Sequence, residues 1–157
     1  MEATYPKVII YTDGSCLGNP GSGGYAALLF AKLSNGKVIR KEITGGEKNT
    51  TNNRMELTAL CAALETLKGT CNVTVYTDSE YLEKNWTSVP LWKQRNWKGS
   101  SGQVKNADLW ERFLQAVNKT HSLIQIEHVS AHTGIRFNEE CDKIAKAQAK
   151  AFAIYEE

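Results

Sequence analysis

Two aspartates, Asp13 and Asp78, each follow a short apolar run that ends in Tyr-Thr-Asp. The runs are Val8–Asp13 and Val73–Asp78, and both have the composition of buried strands. If these strands are parallel neighbours, about 4.8 Å apart, both carboxylates emerge at the carboxyl edge of the sheet. Open α/β folds bind their ligands at that edge. The spacing therefore predicts that two carboxylates share one site.

Two further acids lie on helical stripes that are otherwise apolar. Glu56 is followed at helical spacing by Leu60 and Leu64, which places it on the predicted core-facing side of its helix. Asp142 is followed in the same way by Ala145, Ala149 and Phe152 on the final helix. Four acids are thus expected to point inward from the ends of secondary structure elements.

Such a cluster has two interpretations. Each helical acid could simply favour the positive end of its helix, worth about 0.3–1 kcal/mol, and each aspartate could start a turn. Taken together, however, like charges about 4–5 Å apart repel by a few kcal/mol at an effective dielectric of about 20, so a cation or shared protons must offset them. Oxygen ligands favour Mg²⁺ or Mn²⁺ over zinc, and two such ions about 3.5–4 Å apart suit phosphodiester hydrolysis.

The elements that must position these acids follow from periodicity and turn residues. Strands are predicted at residues 7–12, 25–33, 37–43, 72–77 and 123–129, the second and third joined by an Asn-Gly turn. The glycine-rich residues 14–24 are expected to form a loop. Helices are predicted from an Asn52 or Asn53 cap to about Lys68, from Ser79, over 106–118 and over 138–152. This order indicates an α/β fold, a mixed sheet with helices on its faces.

Length and composition favour an ordinary globular chain. The 157 residues are 41% hydrophobic and 23% charged, which is typical of one domain, expected to span residues 1–157. No apolar run is long enough to cross a membrane and the start lacks a signal-peptide pattern, so a cytoplasmic location is expected. The four cysteines show no zinc-type spacing; free thiols are expected, although two disulfides are possible.

Positive charge is concentrated in residues 84–107, called the basic segment below. It carries five basic residues and no acidic one, together with three of the four tryptophans, Trp86, Trp92 and Trp97. Basic side chains interleaved with aromatic ones can neutralise phosphates and pack on sugars without reading sequence. The alternative is that Trp86, Trp92 and Trp110 belong largely to the core.

Several motifs together resemble those of type 1 ribonuclease H of the bacterial type, the enzymes that cut RNA in RNA/DNA hybrids. The motifs are Thr12–Cys16 with Asn19–Gly21, Thr51–Leu57, Thr77–Ser79, Trp97–Lys98, His132–Gly134 and Asn138–Glu139 with Asp142. They cover nearly the whole chain and stand in the family's order. The resemblance implies a ribonuclease H-like fold: a five-stranded mixed sheet with helices on both faces. It also implies an endonuclease that leaves 3′-hydroxyl and 5′-phosphate ends.

The resemblance also implies roles for individual residues. Asp13, Glu56, Asp78 and Asp142 correspond to four metal-binding carboxylates that hold two Mg²⁺ ions, with Mn²⁺ a possible substitute. His132 resembles a loop histidine that helps to move a proton or release the product, although an ordinary surface histidine is the alternative. His121 and His128 match no family motif and are expected to be structural or solvated.

The expected substrate is an RNA/DNA hybrid, with no membrane and no obligate protein partner. The substrate-binding residues implied by the resemblance are Cys16, Asn19, Thr51, Asn52, Asn53, Glu80, Trp92, Lys93, Arg95, Trp97, Lys98 and Asn138. Asn52 and Asn53 could instead be helix caps. Two positions depart from the family pattern: Glu80 stands where glutamine is common, and Asn49 where a basic residue often assists a phosphate pocket. The loop around His132 also differs from the usual Gly-His form.

Two other functions share parts of this pattern. One is a DNA-acting polynucleotidyl transferase of the same fold, which the basic segment and the Asn52–Asn53 pair disfavour. The other is a catalytically weak or inactive hybrid-binding module, which the complete set of four acids disfavours. Metal-dependent turnover separates the inactive binding module from an enzyme.

Overall fold

The computed structural model describes residues 5–130 and 136–154. Its strands are β1 Lys7–Leu17, β2 Gly21–Lys32, β3 Val38–Thr50, β4 Asn72–Thr77, β5 Lys98–Gly99, β6 Gly102–Gln103 and β7 Leu123–His128. Its α-helices are α1 Asn52–Glu65, α2 Glu80–Asn85, α3 Val89–Gln94, α4 Ala107–Thr120 and α5 Arg136–Ile154. All five long predicted strands and all the predicted helices are present. His132 lies outside the described residues.

The five long strands form one mixed sheet in the order β3-β2-β1-β4-β7. β1 pairs antiparallel with β2 and parallel with β4, and β4 pairs parallel with β7. The fold prediction is therefore confirmed, including the parallel neighbours that end in Tyr-Thr-Asp.

Alternation along β2 shows why helices cover both faces of this sheet. Ala27 and Leu29 pack into a core with α1 and α4, whereas Ala26 and Leu28 pack against Cys141 on α5. Successive strand residues point to opposite faces, so β2 is buried on both sides. Ile10 of β1 and Trp110 of α4 lie wholly inside the larger core.

The prediction of a loop over residues 14–24 is wrong for most of that range. β1 runs on to Leu17 and β2 begins at Gly21, so only three residues form the turn between them. The glycines serve close approach instead: a Cβ on Gly14 would lie 2.4 Å from the backbone nitrogen of Glu56, and one on Gly24 2.2 Å from the carbonyl oxygen of Ala145. Glycine thus lets both long helices approach the sheet closely.

Helix ends differ slightly from the prediction. Thr51, and neither Asn52 nor Asn53, caps α1, because its side chain accepts a hydrogen bond from the backbone N–H of Arg54 at 3.2 Å. α1 ends at Glu65 and not near Lys68. Asn106 precedes α4 in a left-handed conformation, with φ 60°.

All four cysteines carry free thiols, as expected. Within residues 5–130 and 136–154, none of the helices combines the length and apolar character needed to span a membrane.

Candidate active site

Three carboxylates converge at the carboxyl edge of the central strands. Tyr11 is paired with Tyr76 across β1 and β4, so Asp13 and Asp78 lie side by side two residues further along. The N-terminal half of α1 crosses β1 there and contributes Glu56. One carboxylate oxygen from each of Asp13, Glu56 and Asp78 lies within 4.8 Å of the others. The cleft that these residues line is called the carboxylate cleft below.

Asp142 lines the same cleft from α5, but it does not join this tight group. Its Oδ2 is 2.9 Å from Nζ of Lys146, one helical turn away, and its side chain is 41% exposed. The expectation that Asp142 lies on the inward stripe of α5 needs correction. The buried stripe consists of Cys141, Ala145 and Ala149, and Asp142 stands at its border.

Burial makes this cluster electrostatically costly. Asp13 is 5% exposed and Glu56 is 8% exposed. Burial, and then the neighbouring charge of Asp78, raise the pKa of Asp13 to about 8. Burial and then Asp13 raise the pKa of Glu56 well above its usual range, and burial and Asp142 raise the pKa of Asp78. The protonated forms are favoured because burial and neighbouring like charges both disfavour an ionised carboxylate.

The donor set fits a divalent cation. Glu56 Oε2 is buried and finds no hydrogen-bond partner within the described part of the chain. Three converging carboxylates with an unpartnered buried oxygen are typical of a site for a hard cation. A bound cation would replace the shared protons and relieve the repulsion between the carboxylates.

The other residues predicted to touch substrate near the acids are close to this cleft. Cys16, Asn52, Asn53 and Glu80 line it directly. Asn52 and Asn53 have exposed side chains, and since Thr51 is the cap, neither asparagine is needed for that purpose.

Two predicted substrate residues also have structural roles. The side chain of Asn19 accepts a hydrogen bond from the backbone N–H of Asn52 at 3.1 Å, which ties the β1–β2 turn to the start of α1. Asn138 donates to the carbonyl oxygen of Tyr76 at 3.3 Å, and its own Oδ1 is buried without a partner in the described residues. Asn138 and Asp142 line an adjoining depression, which reaches Asp78.

The basic segment lies apart from the acids. Trp92 is half-buried and meets Trp110 edge to face at 6.3 Å, while Trp97 is half-buried at a positive φ of 62°. Both tryptophans pack against the core, which the core interpretation held for Trp92 and not for Trp97. Lys93 is held by Glu111, with its Nζ 2.6 Å from Oε1.

Three cations of the basic segment are unpaired within the described part of the chain: Arg95, Lys98 and Lys105. All three are exposed, and none makes an ion pair with any carboxylate of residues 5–130 and 136–154. Of the predicted substrate contacts, Arg95 and Lys98 are therefore open to solvent, whereas Lys93 is paired within the protein.

Three residues near the site were missed by the sequence analysis. Lys146 pairs with Asp142, as its helical i, i+4 spacing could have indicated.

His128, expected to be structural or solvated, is exposed and has Nε2 3.2 Å from the carbonyl oxygen of Asp78. Parallel pairing of β7 with β4 places His128 opposite Thr77, and no local pattern reveals that register. Tyr81 lines the carboxylate cleft beside Glu80.

Comparison with known proteins gives a consistent result. The RNase H family model matches residues 5–150. Ribonuclease H of Xanthomonas campestris is 50% identical over 147 residues, covering 92% of this chain and 93% of the relative. Ribonuclease H of Blochmanniella pennsylvanica is 47% identical over 148 residues, covering 93% and 94%.

Solved structures agree with the sequence relatives. LC9-RNase H1, described as a type 1 RNase H with the type 2 active-site motif, superposes with a TM-score of 0.82 at 34% identity, covering 96% of this chain and 75% of that one. LC11-RNase H1, solved in complex with an RNA/DNA hybrid, gives a TM-score of 0.65 at 21% identity, over 92% and 97% of the two chains, and this likeness concerns the fold alone. By family match, sequence identity and fold, the chain belongs to the ribonuclease H family, as a type 1 member.

Proposed function

We propose that this chain, as one catalytic domain over residues 1–157, is an endonuclease that hydrolyses the RNA strand of RNA/DNA hybrids. The observation that carries the proposal is the convergence of Asp13, Glu56 and Asp78 in an open cleft of a ribonuclease H fold. Cleavage leaves a 3′-hydroxyl and a 5′-phosphate.

A divalent cation completes the site, and we propose Mg²⁺, with Mn²⁺ as a substitute. Asp13, Glu56 and Asp78 would hold it, with Asp142 as a fourth ligand once released from Lys146. When bound as a pair, such ions supply an activated water and stabilise the leaving oxygen.

The protein's own contribution is to hold the carboxylates rigidly. Asp13 is fixed on the central strand and Glu56 on a helix that packs directly over it, with no room for a Cβ on Gly14 between them. Rigid placement matters because small displacements at a reacting centre cost large factors in rate. The cost of this rigidity is burial, and then repulsion from neighbouring carboxylates, which together raise the pKa of Asp13 and of Glu56.

Recognition of the hybrid is divided between two surfaces. Around the cleft, Cys16, Asn19, Asn52 and Asn53 present short polar groups suited to 2′-hydroxyls and base edges, with which a protein distinguishes RNA from DNA. Glu80 lines the same cleft, Thr51 precedes Asn52 as the cap of α1, and Asn138 lies beside Asp142. In the basic segment, Arg95 and Lys98 supply charge for DNA-strand phosphates, with Lys93, Trp92 and Trp97 at the same surface.

We propose that His132 assists proton transfer or product release. It stands ten positions before Asp142, and an imidazole with a pKa near 6.5 suits proton movement at neutral pH. His132→Ala is expected to lower kcat by about a hundredfold without abolishing cleavage. An unchanged kcat would show that this histidine has no part in the reaction.

The deciding experiment compares one labelled RNA strand presented as an RNA/DNA hybrid, as an RNA duplex and as a single strand. Each is incubated with Mg²⁺ or with EDTA, using the wild type and Asp13→Asn. We expect cutting of the hybrid alone, dependent on the metal and lost in the variant. Tight binding of the hybrid without cutting would indicate a non-catalytic binding module, and cutting of a DNA duplex, included as a further substrate, would indicate a DNA-acting transferase.

A further inference from the structure

Tyr81 stands between the two surfaces that the proposed function assigns to the substrate. It lies in α2, one residue after Glu80, and lines the carboxylate cleft together with Asp78. The same side chain lines a second groove along β5 and β6, where Trp92 and Lys105 form part of the wall. One half-buried ring thus borders both the acids and the basic segment.

The hydroxyl of Tyr81 accepts two hydrogen bonds, one from the end of the basic segment and one from the first turn of α4. Asn106 Nδ2 donates at 3.0 Å and Trp110 Nε1 donates at 2.9 Å. The Trp110 side chain is fully buried, and an indole N–H can only donate, so the tyrosine oxygen is its required partner. This geometry fixes the start of α4 relative to α2.

Asn106 extends the network to α1. Its Oδ1 accepts from Nη1 of Arg54 at 3.2 Å, and Arg54 also forms a two-pronged ion pair with Asp108, at 3.0 and 2.7 Å. Asn106 itself has a left-handed backbone, a conformation that asparagine adopts more readily than most residues. Arg54 lies two residues before Glu56 on the same helix.

The network therefore joins three elements at one point: the helix that carries Glu56, the helix that follows Asp78, and the residue where the basic segment enters α4. Its members are Tyr81, Asn106, Trp110, Arg54 and Asp108. These hydrogen bonds and ion pairs join the network members to one another and leave the cleft carboxylates out. Their shared effect is to fix the position of the basic segment relative to the acids.

We propose that Tyr81 is a positioning residue that couples the basic segment to the carboxylate cleft. A hybrid held by Arg95 and Lys98 then presents its RNA strand at the acids in the productive register. This inference rests on the proposed function. It adds that the two surfaces act as one unit because the network around the Tyr81 hydroxyl connects the elements that carry them.

The test is the dependence of cleavage on hybrid length. Short hybrids fill only the carboxylate cleft, whereas longer ones also reach the basic segment, so wild-type kcat/KM should rise with length. Tyr81→Phe removes one hydroxyl and should reduce this gain by about tenfold, while cleavage of the shortest substrate stays within about twofold of wild type. Tyr25→Phe, the same change on β2, is the matched control and should leave the length dependence unaltered.

A second variant keeps the test decisive if Tyr81→Phe fails to fold, since that change leaves the buried Trp110 indole without its hydrogen-bond partner. Asp108 is largely exposed, with its side chain 64% accessible, so Asp108→Asn should fold normally while loosening the other end of the network. It should reduce the length-dependent gain by about threefold. The double variant should reduce the gain no further than Tyr81→Phe alone, because both changes act through Asn106.

The outcomes separate this inference from the proposed function. Equal reductions at every hybrid length in Tyr81→Phe, or an unchanged length dependence in both variants, would overturn the positioning role while leaving the ribonuclease activity in place. Absence of cleavage by the wild type on any hybrid would overturn the proposed function itself.

Discussion

The carboxylate cleft and the basic segment differ in how deeply their charged groups are buried and how firmly these groups are held. Asp13 and Glu56 are buried and fixed on long elements of the fold, against like charges that raise their pKa values. Arg95 and Lys98 are exposed on short elements with open solvent around them. Groups that act on a bond need accurate placement, even at a cost in stability. Groups that attract a phosphate backbone need only charge near the surface.

The same contrast appears in the backbone. At the cleft, Gly14 permits a backbone contact that any side chain would block. In the basic segment, consecutive residues Asn96 and Trp97 adopt positive φ values of 55° and 62° where the chain turns between α3 and β5. The first feature lets α1 approach β1 closely beside the acids, and the second makes a tight turn between two short elements.

The largest expected effect concerns the cleft. Glu56→Gln keeps the shape of the side chain but removes its charge, so the site loses a cation ligand. Cleavage should fall by about a thousandfold, corresponding to several kcal/mol of transition-state stabilisation, while hybrid binding persists. Steady-state kinetics with Mg²⁺ measure this. Glu42→Gln, an exposed residue on β3, is the control and should retain wild-type activity. A Glu56→Gln enzyme with near-normal kcat would remove Glu56 from the metal site.

An intermediate effect is expected from the basic segment. Replacing Arg95 and Lys98 together by Ala should raise KM about tenfold with little change in kcat. It should also reduce the slope of log affinity against log salt by about 2, since each phosphate that a cation neutralises accounts for roughly 0.7–0.9 of that slope. Hybrid binding measured across a salt series checks this result. If the slope is unaltered, these side chains do not neutralise phosphates.

Lys93 tests whether a cation that is already paired within the protein contributes less to hybrid binding than an unpaired one. Because its ammonium group is already paired with Glu111 at 2.6 Å, Lys93→Ala should raise KM by less than about twofold. The measurement is the same steady-state assay on the hybrid, with Arg95→Ala alongside. A rise in KM as large as that of Arg95→Ala would mean that the Lys93–Glu111 ion pair opens when the hybrid binds.

The last expected effect is on stability and depends on pH. With a pKa near 4 when unfolded and about 8 when folded, Asp13 binds its proton more tightly in the folded state. The free energy of unfolding therefore falls as pH rises between these values. In EDTA, Asp13→Asn should raise Tm by about 10–20 °C at pH 8 and by almost nothing at pH 4. Thermal unfolding between pH 4 and pH 8 measures this difference in Tm between the variant and the wild type. A difference that does not vary with pH would show that folding does not raise the pKa of Asp13.

Much of the fold could be predicted because its signals are local. Apolar runs and the Asn-Gly turn locate the five long strands, and helical periodicity locates α1, α4 and α5. The repeated Tyr-Thr-Asp ending was sufficient to expect Asp13 and Asp78 as neighbours, since parallel strands of similar length end at the same edge. The glycines of residues 14–24 misled the prediction because glycine serves equally in a turn and at a close helix contact.

What the sequence by itself determined is the set of chemical groups and the elements that carry them. These are four acids in or directly after β1, α1, β4 and α5, short polar residues at the start of α1, and a basic segment rich in tryptophan. Only the tertiary structure decided which groups are partners. It paired Asp142 with Lys146, Lys93 with Glu111, and the hydroxyl of Tyr81 with Asn106 and Trp110. The reason is physical. Periodicity records which side of an element is buried, whereas a hydrogen bond or ion pair between elements depends on how distant parts of the chain pack together.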